Sequence, residues 1–159
     1  MHTFTLPENA KVFGALKPAT DAAGRTGRYF NAGLAHKIFF VFEIDQGNAA
    51  TIALDVVQAT TSTGTSAKQV ATNRRIWTNL DEATNDTYTR QSDAASYTTD
   101  VAVKEKLVIL EVDPNDLDLA NGFTWIAART GASNVANLTS AVIYIVPQYP
   151  GASQPTYTA

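Results

Sequence analysis

The stretch "FEIDQGNAATIALDVVQAT", Phe42 to Thr60, decides the fold class. A run dense in β-branched and aromatic residues, His36 to Asp45, leads into it, and a second apolar run, Ala50 to Thr60, leads out. Between them, Gln46 to Ala49 supplies Gly47 and Asn48, both of which tolerate the positive φ of a tight turn. In the second run Ile52, Leu54 and Val56 alternate with Ala53, Asp55 and Val57, the two-residue period of a strand. The segment reads as a hairpin of two strands that closes a core.

The same grammar extends in both directions. "KVFGALK" (Lys11 to Lys17) is a short strand stopped by Pro18, which cannot donate to a ladder. Ala19 to Asn31 reads as a loop with a short strand at Tyr29–Phe30, and Thr61 to Ala67 as a flexible connector. Two short strands are expected near Arg75–Asn79 and Thr87–Arg90. "KLVILEVD" (Lys106 to Asp113) sets Val108, Leu110 and Val112 against Leu107, Ile109 and Glu111 before Pro114 ends it. "FTWIAART" (Phe123 to Thr130) and "SAVIYIVPQY" (Ser140 to Tyr149) complete the set. No segment keeps apolar spacing of three to four over three helical turns. The expectation is an all-β fold: a jelly-roll-like antiparallel β-sandwich, one domain over residues 1–148, with an extended arm over 149–159. Its core should take Phe40, Phe42, Ile52, Leu54, Val56, Val108, Leu110, Val112, Trp125, Ile143 and Ile145.

Composition narrows the function classes. The chain has 159 residues, 45% hydrophobic and only 17% charged, where ordinary domains hold about a quarter charged. A thinly charged surface favours docking and self-association. The net charge of −3 argues against nucleic-acid binding, which rests on clustered Lys and Arg. Without cysteine, disulfides, thiolate metal sites and cysteine nucleophiles are excluded. The N-terminal residues do not read as a secretory signal, and the longest strictly apolar run, Ile38 to Phe42, is far short of the ~20 residues that span a bilayer. Synthesis in a bacterial cytoplasm and no membrane partner are expected.

Candidate chemistry is thin. "DPNDLDLANG" from Asp113 breaks the calcium-loop pattern, with Leu117 at position 5, Asp118 at position 6 and Thr124 at position 12. Asx turns explain the same residues. His2 and His36 are the only histidines, with no zinc-like spacing and no G-x-S-x-G elbow beside them. No catalytic, metal or cofactor residue is expected, and the protein is not expected to be an enzyme.

Two features suggest contacts with partners. "GRTGR" sets Arg25 and Arg28 around a tight turn, two guanidinium forks able to meet carboxylates on another protein. The tail carries Pro150 and Pro155, which keep it extended, and Tyr149 and Tyr157, which offer aromatic anchors. Several strands are also apolar on both faces: Phe39 and Val41 back Ile38, Phe40 and Phe42, while Val142, Tyr144 and Val146 back Ile143 and Ile145. A two-layer sandwich buries one face per strand, so the other needs a loop, a short helix or another subunit.

The combination of "AGRTGRYFN", "QGNAATIAL", "VVQAT" and "TGASNVANLTSA" followed by a β run resembles a family of small virion proteins encoded by tailed phages and prophages. The resemblance spans about Asn9 to Tyr149. It implies a structural role, foremost as a capsid decoration (cement) protein on the virion surface, with a minor head–tail or tail component next. It also implies the major capsid protein or other virion proteins as partners, and a homotrimer. A host- or carbohydrate-binding sandwich is the separate alternative, and would gather Trp77, Trp125 and tyrosines on one concave face.

Overall fold

The computed structural model describes residues 4–149 and 156–159. A single helical turn, Leu6–Asn9, precedes β1 (Lys11–Thr20), β2 (Arg25–Thr26), β3 (Phe30–Asn31), β4 (Ala35–Gln46), β5 (Ala53–Ala59) and β6 (Lys68–Gln69). Then follow β7 (Arg74–Asn79), β8 (Thr89–Ala94), β9 (Ser96–Thr98), β10 (Glu105–Val112), β11 (Trp125–Thr130) and β12 (Asn137–Pro147). The first sheet runs β1-β12-β4-β10-β7-β8 and the second β2-β11-β5-β6, with β3 against β11 and β9 against β5. Every pairing is antiparallel. The fold is the all-β sandwich that the alternating strands require.

The core lies between the layers. Ile38, Phe40, Phe42 and Ile44 of β4 face inward beside Val108 and Leu110 of β10 and Ile143 and Ile145 of β12. From the second sheet come Leu54, Val56, Ile126 and Ala128. All of the expected core residues are buried except Trp125, which is half-buried at the start of β11, where Ile126 takes the inward position.

The decisive stretch folds differently from a hairpin. β4 pairs with β10 and β12, whereas β5 pairs with β11, β6 and β9, so Gln46 to Ile52 carries the chain from one layer to the other. A hairpin and a layer-crossing corner share the same alternation, and long-range pairing chose between them. The corner is held by side chains. Asn137 accepts from Asn48 N (2.7 Å) and donates to Ala50 O (2.8 Å), and the Asn48 side chain accepts from Ala50 N (2.9 Å). Gly47 is needed for proximity, since a Cβ there would sit 2.5 Å from Ala136 O. Positive φ belongs instead to Gly64, Gly122 and Ser66.

Other boundaries moved for physical reasons. Pro18 does not stop β1; the register jumps from Leu16–Ala141 to Ala19–Thr139, and an edge strand tolerates proline at such an irregularity. The Thr61 to Ala67 connector is a built turn, with Thr61 Oγ1 bonded to Thr65 Oγ1 at 2.8 Å and Gly64 packed against the Tyr29 ring. The short strands β2, β6 and β9 were not foreseen.

Candidate interaction surface

The outer face of the first sheet is an apolar field. Trp77, Ile109, Val41 and Val142 lie opposite one another across β7, β10, β4 and β12, a continuous row over four strands. One step along, Phe39 lies between Glu111 and Tyr144, and Val12 lies beside Tyr144. One step the other way, Glu43 lies between Leu107 and Ser140, then Asp45 between Glu105 and Leu138. Val12 is 39% exposed and Trp77 37%. Phe39, Val41, Val142 and Tyr144 are half-buried by one another. Among the described residues no helix or strand is stacked on this face.

The second sheet contrasts with it. Val57, Ala59 and Ala127 alternate away from the core yet are 1% exposed or less, so the chain closes that face itself. The two strands read as apolar on both faces, β4 and β12, both lie in the first sheet, where that second face stays open.

Charged groups frame the open face unevenly. At one end Lys37 Nζ reaches Glu111 Oε1 at 2.7 Å, with Arg75 on the neighbouring strand. On the β8 edge the Arg90 guanidinium stands 5.7 Å from the Trp77 ring centroid and pairs with Asp93. At the other end Glu43, Asp45 and Glu105 point outward with no ion pair among the described residues.

The contact residues read from sequence scatter. Arg25 is turned into its own chain, donating to Lys17 O (2.9 Å), Ala19 O (3.0 Å), Thr139 O (2.8 Å) and Asp21 Oδ1 (2.9 Å). Asp21 is fully buried and also accepts from Thr130 and Thr139, so the arginine neutralises an interior carboxylate rather than reaching for a partner's. Arg28 is exposed, 5.5 Å from the Phe30 ring centroid, on the rim of an open concavity of about 570 Å³. Tyr149 is exposed, whereas Pro150 and Pro155 lie outside the described residues. Tyr157 corrects the arm: it is 2% exposed and belongs to the core cluster. Its carbonyl accepts from Asn31 N at 2.8 Å, and burial raises its phenol pKa.

The remaining polar groups serve the scaffold. Lys106 is fully buried and donates to Gln46 Oε1 (2.8 Å), Asp100 Oδ1 (2.6 Å) and Asp100 O (3.2 Å). Burial works against the Asp100 carboxylate, but bonds from Lys106 and Ala102 and the lysine charges outweigh it and hold its pKa below the usual range. Arg74 is buried against Val70 O at 2.5 Å; desolvation lowers its pKa to about 10 against the pull of Asp55 and Asp116. In the acidic loop Asp113 Oδ1 accepts from Asn115 N (2.9 Å), and Asp118 accepts from Asn121 (2.8 Å) and Lys68 (2.5 Å). The Lys68 and Asn121 bonds lower the Asp118 pKa. Trp77 and Trp125 stand on different sheets and share no platform.

No protein-family model matches the chain, and no curated protein matches it. Among solved structures it is similar to the SPBc2 prophage-derived protein YomS, at 9% identity and a TM-score of 0.46 over 86% of this chain and 93% of that one. A Bacteroides thetaiotaomicron VPI-5482 protein described as a candidate sugar binder is 13% identical, with a TM-score of 0.34 over 77% of this chain and 65% of that one. Likenesses at these scores say nothing of what this chain binds.

Proposed function

We propose that the chain is a non-enzymatic structural protein of a phage virion, a decoration protein that attaches to the capsid surface and stabilises the shell. The reading starts from the sequence resemblance through "AGRTGRYFN", "QGNAATIAL" and "TGASNVANLTSA". The observation that carries it is the outer face of the first sheet, where Trp77, Ile109, Val41 and Val142 form an open apolar row. Exposed apolar fields of this kind mark contact surfaces. A decoration protein needs a rigid body with such a face. Binding the assembled shell and not its free subunits stabilises the shell by mass action, and repetition over a lattice lets modest contacts suffice. A head–tail or tail component would make the same demands, and copy number separates the two. The glycan-binding alternative loses its motivation, because Trp77 and Trp125 do not meet on one face.

The test is quantitative mass spectrometry of washed, intact particles. A fixed, high ratio to the most abundant shell protein is expected of a decoration protein. A few copies per particle would assign it to the head–tail region or tail, and absence from particles would overturn the virion reading.

A further inference from the structure

We infer that the notch between β1 and β2 is the charged end of the attachment surface and takes an acidic segment of the partner protein. The inference rests on reading the outer face of the first sheet as that surface, and it names the chemistry that meets it. The apolar row reaches β12 at Val142, and Gly14 of β1 lies opposite Val142. A side chain added at Gly14 would meet nothing within 4 Å, and Gly14 also lines the concavity of about 570 Å³. Ala15 and Leu16, both buried, give that notch an apolar floor. Its charged lining residues are Lys17, Arg25 and Arg28, all cations. Arg25 is neutralised by Asp21, whereas Lys17 and Arg28 are exposed and form no ion pair among the described residues.

The neighbouring carboxylates do not occupy this place. Glu8 lies in the helical turn ahead of β1 and is bonded by Thr5. Glu43 and Asp45 line a separate hollow with Pro18 and Leu138. They stand on β4, two strand spacings from β1, about 10 Å, roughly the screening length in 0.1 M salt. A partner strand cannot extend the sheet along this stretch, because its carbonyls are taken. Ala15 O accepts from Arg28 N (2.9 Å), and Lys17 O and Ala19 O accept from the Arg25 guanidinium. Gly27 permits that closure, since a Cβ there would collide with Ala15 O. Contact is therefore made by side chains: carboxylates on Lys17 and on the Arg28 fork, with an apolar residue over Ala15 and Leu16. Two free cations on a chain of net charge −3 do not make a nucleic-acid site, whose affinity grows with the number of phosphates neutralised.

The probe is a fluorescein-labelled peptide alternating Glu and Val, titrated with the purified protein at low salt and followed by anisotropy. The same peptide with Gln or Lys in place of Glu, and a labelled oligo-dT of equal charge, run beside it. Wild type is expected to bind the Glu peptide in preference to the other three. Lys17→Glu and Arg28→Glu should each weaken that binding about tenfold or more, and the double variant should prefer the Lys peptide. Gly14→Phe, which adds a ring at the wall of the notch without a clash, should block it too. Circular dichroism should be unchanged throughout. Should Arg28→Glu disturb the Phe30 contact, Lys17→Glu carries the test, since its exposed side chain holds nothing among the described residues. No binding of the Glu peptide by wild type overturns the inference, as do equal binding of the Gln peptide, tighter binding of oligo-dT, or variants that bind like wild type. None of these readouts needs particles, so failure here is distinct from absence of the protein from virions.

Discussion

Asn137 shows how one side chain can decide where a strand goes. It is fully buried and holds the backbone of the corner at Asn48 and Ala50 while also donating to Ser133 Oγ at 2.9 Å. Replacing it with alanine takes the acceptor from Asn48 N and leaves Ala50 O with the longer bonds from Ser133 Oγ (3.2 Å) and Gln46 Nε2 (3.4 Å), a cost of about 1 kcal/mol for part-buried groups. Urea unfolding of Asn137→Ala should show that loss with an unchanged slope; a neutral result would mean that water replaces the amide. This residue was not legible in the sequence, because its partners are 87 and 89 positions away. Gly47 was legible as a turn residue but for the wrong reason: the constraint is the close Ala136 carbonyl and not φ. Arg25 misled in the same way. A surface loop with two arginines gives no sign that Asp21, four residues earlier, is buried and needs one of them.

At the scale of elements, most strands could be read because alternation survives in any antiparallel sheet. β4, β10 and β12 appear where the apolar periods put them, and their inward residues are those the alternation chose. Partner choice was not readable, since β4 followed by β5 looks like a hairpin whether the two pair or part company. The C-terminal segment failed for a different reason. Its prolines rule out a sheet interior but say nothing against a single tyrosine returning to the core. Tyr157 does so, its hydroxyl 3.4 Å from Leu34 O. Tyr157→Ala should therefore destabilise the isolated domain by about 3 kcal/mol, on the scale of other buried aromatic truncations. For a chain of this size that lowers Tm by roughly 6–12 °C. An unchanged Tm would return the whole tail to the role of a peripheral arm.

For the molecule as a whole, the sequence raised one question about function: what covers the second faces of two-sided apolar strands. Phe39, Val41, Val142 and Tyr144 were visible as surplus hydrophobes, but their joining with Trp77 and Ile109 into one row depends on register across four strands. The second sheet closes its outer face with its own chain, whereas the first, which holds both β4 and β12, leaves an open apolar row. Trp77 reports on that claim directly, because it stands at the end of the row while Trp125 lies on the other sheet. With Trp125→Phe making Trp77 the sole tryptophan, acrylamide quenching of its fluorescence is measured from dilute to concentrated protein, beside sedimentation on the same samples. The account predicts that quenching falls as the protein associates. Association with Trp77 equally quenched throughout would contradict it and move the contact off this face.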